Sequence, residues 1–129
     1  MIKRIPNPFS ANFSNATVIP TSEYSTVYIA GQVGHPPNGP VKVTVGTFEE
    51  EARLCFGNIR LALEKAGASM RDIVRITAYL TDLSDYPAYD RVRKETFPDS
   101  PPASSTVQVA GLLVNAHLEI DTVAVIKTK

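Results

Sequence analysis

The chain has 129 residues, 43% hydrophobic and 20% charged, the proportions of one globular domain with a single core. Thirteen basic residues balance thirteen acidic ones, which argues against nucleic acid as a partner, since that needs a basic excess or stripe. Cys55 is the only cysteine, excluding an intrachain disulfide, and no segment has the length of apolar sequence that a membrane span needs.

Met1 to Pro6 carries charges with no apolar run behind them, so it does not read as a signal peptide, and cytoplasmic residence is the default expectation. A weak strand is predicted near Ala16 to Ile19. Thr26 to Val33 follows, short, β-branched and aromatic, and reads as a buried strand. Gly34 to Pro40 is a turn-rich loop. Thr47 and Glu50 have the spacing of a capping box, and the helix behind them puts Ala52, Cys55, Ile59, Ala62, Leu63 and Ala66 on one face. Gly67 suits the left-handed residue after its end. Cys55, among apolar residues, reads as a packed small hydrophobe rather than a reactive thiol.

From Ile73 to Leu80 the pattern alternates: Val74, Ile76, Ala78 and Leu80 on one face, Arg75, Thr77 and Tyr79 on the wetter one. A second helix is predicted from about Tyr86 to Thr96, with Pro87 tolerated in its first turn. Its charges, Arg91, Arg93 and Lys94 among Asp90 and Glu95, read as a solvated face. Two strands close the chain, near Ser105 to Ala110 and Leu118 to Ile126. The order predicts an α+β sandwich, with two helices on one face of a mixed sheet. The other face then carries enough apolar and aromatic groups to need a partner.

Pro101-Pro102-Ala103-Ser104-Ser105-Thr106-Val107 resembles a signature of the Rid family, the reactive-intermediate deaminases, also called YjgF-type or endoribonuclease L-PSP proteins. Ala30-Gly31-Gln32, Asn58-Ile59, Ala66-Gly67, Tyr79 to Leu83 and Leu118 to Asp121 carry the resemblance from about Thr26 to Val125. It implies a chorismate-mutase-like fold, a homotrimer with ligand clefts between subunits, and hydrolysis of small imines or enamines without a cofactor. It also implies roles. Glu119 matches a carboxylate that orients the attacking water, and Gly31 a glycine whose backbone approaches the ligand. Thr106 takes a place of mostly backbone contact, beside the hydroxyls of Ser104 and Ser105.

This chain departs from the pattern at the residue that matters most for specificity. Ser104 stands where the family has an Arg that grips a substrate carboxylate, and a hydroxyl cannot reproduce a guanidinium's planar fork. Gly111 replaces a second Arg of many relatives, Ala30 a Ser, and a family tyrosine near the N-terminal hairpin has no clear counterpart in Ala16-Thr17-Val18. The resulting expectation is a hydrolase or deaminase-like enzyme acting on a small uncharged substrate. The alternative is a non-catalytic trimer that binds a metabolite or a protein partner. A ribonuclease reading is weakest at zero net charge. His35 and His117 have no metal-ligand spacing and read as structural or surface residues. Ser104 and Ser105 lack the neighbouring base that a nucleophile needs.

Overall fold

The computed structural model describes all 129 residues. Strands β1 (Lys3–Pro6), β2 (Ser14–Pro20) and β3 (Tyr24–Val33) lead into helix α1 (Phe48–Lys65). Then come β4 (Ile73–Leu80), α2 (Tyr86–Thr96), β5 (Ala103–Gln108) and β6 (Leu118–Lys127). They build one six-stranded sheet in the order β1-β2-β3-β6-β4-β5. Only β4 and β5 run parallel, joined through α2; every other pairing is antiparallel. Both helices therefore lie over a mixed sheet, as the element order predicts.

α1 forms where its cap and stripe place it. The Thr47 side chain accepts from the Glu50 backbone N–H at 3.2 Å, and three glutamates in the first turn complement the helix dipole. The Thr47 hydroxyl donates to the Glu50 carboxylate rather than leaving that job to its backbone, so the box is only half of the usual pair. Gly67 ends the helix at φ +81, as expected. The buried face, Ala52, Cys55, Phe56, Ile59, Ala62 and Leu63, packs on Val27, Ile29, Ile76, Leu118 and Ile120 in a core of 22 residues. Each fully buried Leu or Ile contributes roughly 1.5–3 kcal/mol of transfer free energy. Cys55 is wholly buried and donates its thiol to the Gln32 carbonyl at 3.2 Å, and burial pushes its pKa up. It is a packed residue.

Three details differ from the sequence reading. β1 was not predicted, since four residues holding two charges and a proline give no periodic signal. Val74 is exposed while Ile73 is buried, because the β4–β6 register shifts between Ile73 and Arg75 and turns the first residues over. β5 begins at Ala103 and ends at Gln108, two residues earlier than predicted at each end.

Candidate functional site

Glu119 alternates along β6 with Leu118 and Ile120, both wholly buried against the helices. It therefore projects to the opposite face of the sheet. Its neighbours in register are Val33 on β3 and Tyr79 on β4. Partial burial, helped by the nearby Asp121 charge, holds the Glu119 carboxyl above the ordinary carboxylate value. Asp121 itself accepts a hydrogen bond from the Tyr79 hydroxyl at 3.0 Å, which keeps that phenol protonated. The face thus presents a carboxyl able to exchange a proton nearer neutral pH than a free glutamate, beside a second carboxylate and a phenol.

Gly31 meets Glu119 directly. The β3–β6 register shifts between Ile29 and Gln32, so Gly31 sits at a bulge. A Cβ added to Gly31 would stand 2.5 Å from Glu119 Oε2. The carboxylate lies over bare backbone, and glycine is required for that approach. Gly31 also lines a cleft of about 710 Å³ bordered by Phe9, Phe13, His35, Asn58 and Leu61.

The three β5 residues point in two directions. Ser104 pairs in register with Ile76 and Thr106 with Ala78, both core residues, so their side chains lie on the helix side. Ser105 pairs with Thr77 on the open face and accepts from Arg75 Nη2 at 2.9 Å. β4 separates β5 from β6. One chain therefore joins Gly31 to Glu119 and holds Ser104, Ser105 and Thr106 apart from them.

Arg93 is the residue the sequence reading misplaced. Its side chain is 21% exposed rather than solvated. It folds over the rings of Tyr89 and Tyr86 and donates from Nη1 to Ser104 Oγ at 3.0 Å. A cation stands at Ser104 after all, brought by α2. Charge alternation on the helix could not reveal it, because an arginine folded under and one waving in solvent share that pattern. Spacing offers one clue: Asp90 and Arg93 lie three apart and pair at 2.7 Å.

The histidines have other work. His35 is buried, its Nδ1 at 2.8 Å from the Pro36 carbonyl and its ring edge-on to Phe9. His117 precedes β6 and turns its Nδ1 to Glu51, at 2.8 Å, away from Glu119. Glu51, also missed from sequence, is buried in α1 and accepts from the backbone N–H groups of His117 and Leu118. It thereby fixes the start of the strand that carries Glu119. Gly111 has open space about it.

No helix of the structure is long and apolar enough to cross a membrane. Residues 6–126 match the model of the endoribonuclease L-PSP family. The chain is 39% identical over 103 residues to a 2-iminobutanoate/2-iminopropanoate deaminase of Dermatophagoides farinae, covering 80% of each. It is 30% identical to the mitochondrial protein MMF1 of Saccharomyces cerevisiae, over 96% of this chain and 81% of that one. Its fold superposes on the crystal structure of RidA from an Antarctic Psychrobacter with TM-score 0.81 and 33% identity, covering 95% of this chain and 94% of the other. A family model spanning nearly the whole chain and a shared architecture agree with the strand signature, and the chain belongs to the endoribonuclease L-PSP family, the Rid or YjgF-type proteins.

Proposed function

We propose that this protein is a cofactor-independent hydrolytic deaminase of small imines, working in clefts between the subunits of a homotrimer. The observation that carries the reading is the Glu119 carboxylate lying over the bare Gly31 backbone, with its pKa raised. Such a carboxyl can take a proton from water as the oxygen attacks the imine carbon. The resulting carbinolamine collapses to a carbonyl as its nitrogen, protonated in turn, leaves as ammonia. Backbone groups at Gly31 and Thr106 would hold the substrate.

The split geometry supports a second copy in the site. Gly31 and Glu119 lie on one face, and Ser104 with Thr106 on the helix side of an edge strand. In the proposed arrangement a neighbouring chain brings its β5 edge to this chain's Glu119, so that a small molecule touches both sets. The exposed aromatic and β-branched residues of the open face, Tyr28, Tyr24 and Val107 among them, give that neighbour a surface to cover.

A serine at 104 favours a second reading, a trimer that binds a metabolite or partner without turning it over. Residence in the cytoplasm stays an expectation, since one relative is mitochondrial. The two readings separate by ammonia release from freshly generated 2-iminobutanoate and from its neutral amide. The deaminase reading expects release well above the spontaneous rate from at least one of them; release at the spontaneous rate from both leaves the binding module.

A further inference from the structure

At the edge of β5, Arg93 is held as a preformed anion anchor. Its guanidinium donates to Ser104 Oγ at 3.0 Å, to the Tyr86 hydroxyl at 2.8 Å and to Asp90 Oδ1 at 2.7 Å. Its central carbon stands 5.1 Å from the Tyr89 ring centre and 5.6 Å from that of Tyr86. Two aromatic faces and a short hydroxyl thus fix the plane of the fork, which lowers the entropy lost on binding. A serine at 104 is short enough to leave that space to Arg93 and still meet it with a hydroxyl.

A buried hydroxyl stands behind the fork. The Tyr89 hydroxyl is wholly buried and has no hydrogen-bond partner. Burial pushes it up to about 12, against the opposing pull of Arg93 and Ser104, so it remains a donor throughout the ordinary pH range. Leaving a buried donor unpaired is costly, and the group sits next to a guanidinium.

The local charge suits a monoanion. Arg93 and Lys94 are two cations against the one anion Asp90, a net charge of +1. Asp90 is shared: its other oxygen lies 3.2 Å from Lys94 Nζ. An incoming carboxylate can take the Asp90 place on Arg93 while Lys94 keeps Asp90 paired, so exchange strands no charge.

We propose that Arg93, with Ser104 at its side, binds the carboxylate of the substrate, so that this chain acts on imino acids through a cation carried by α2 instead of by β5. The proposal rests on the deaminase reading for the word substrate, and it replaces the expectation of an uncharged one. That expectation counted only the cations within the strand signature. In the assembled cleft the carboxylate sits on Arg93 of one subunit, and the imine carbon reaches Glu119 of the next.

The test is calorimetric titration of the intact protein with 2-oxobutanoate, the keto acid that imine hydrolysis would release, and with its neutral amide. Wild type should prefer the acid. R93A should weaken acid binding by at least about tenfold, the scale of a lost charge-assisted pair, and leave the amide almost unchanged. R93K should also fall short, since an ammonium lacks the fork. D90N should tighten acid binding by removing the internal competitor. Thermal melting of each variant reports folding, and R93K and D90N still decide the matter if R93A melts early. Equal affinity for acid and amide, no binding of the acid by wild type, or acid binding by a folded R93K or R93A equal to wild type would each overturn it. The titration reads no turnover. An inactive protein with Arg93-dependent binding would sink the deaminase reading and leave the anchor standing.

Discussion

A glutamate over a glycine is an arrangement one methyl group can disturb, and Gly31 is where that shows. In G31A the new Cβ meets the far end of a flexible side chain, Glu119 Oε2, not backbone. The carboxylate should swing aside at little cost to the fold. We expect a melting temperature within a few degrees of wild type but imine turnover down by about tenfold or more, because a misplaced base loses its near-attack geometry. Parallel melting and turnover measurements check this; equal turnover would show that the Glu119 position is unimportant. The raised Glu119 pKa makes a separate claim on stability. The fold favours the protonated carboxyl, so that contribution is full below the unfolded value near 4.5 and is lost as pH rises through the higher folded value. E119Q, neutral at every pH, should therefore melt above wild type at pH 7, and the gap should close in acid. A lower melting temperature for E119Q at neutral pH would contradict it. Both residues were singled out through the family resemblance; the strand pattern alone reads Glu119 equally as an exposed glutamate and Gly31 as a bulge glycine. Arg93 was not singled out, because only the packing of α2 against β5 separates it from its solvated neighbours Arg91 and Lys94.

Helix α1 acts on the site through what it clamps rather than what it presents. Glu51 is 2% exposed and accepts from two backbone N–H groups and an imidazole at the entry to β6. Removing the carboxylate in E51A leaves buried donors unpaired, at roughly 1–3 kcal/mol each. We expect a loss of about 3 kcal/mol in denaturant unfolding, and loosening of the His117–Leu118 amides in hydrogen exchange. An E51A protein as stable as wild type would remove Glu51 from this account. Gly34 supports the same corner. A Cβ there would run into the Glu51 backbone carbonyl, which has no freedom to yield, so G34A should destabilise where G31A does not. The elements themselves were largely readable: α1 from its stripe and cap, α2 from its start at Tyr86 to its end at Thr96. Tertiary pairing supplied the rest. β1 exists only because β2 offers it an edge, and Val74 faces outward only because of a bulge that periodicity cannot foresee.

At the scale of the whole molecule, the proposed cleft needs a second copy of the chain. The open face bears Tyr28, Tyr24, Val107 and Val74 in exposed positions, and the candidate site residues divide between that face and the helix side of β5. Light scattering at micromolar concentration should return three chain masses, and a persistent monomer would dissolve the shared cleft with it. Y28E, which places a charge on the face to be covered, should shift the protein toward monomer and lower turnover in step. The fold class was readable from element order, but the separation of Ser104 and Thr106 from Glu119 was not, since strand register decides which side of β5 each residue takes. The central claim is that Glu119 orients water onto an imine. Its most direct test is the rate of ammonia release from 2-iminobutanoate by wild-type and E119Q proteins, each verified as folded and each shown to bind 2-oxobutanoate. A wild-type rate well above the spontaneous one, cut by about 10²-fold in E119Q with binding retained, is the predicted result. An E119Q protein that turns over the imine as fast as wild type would contradict it.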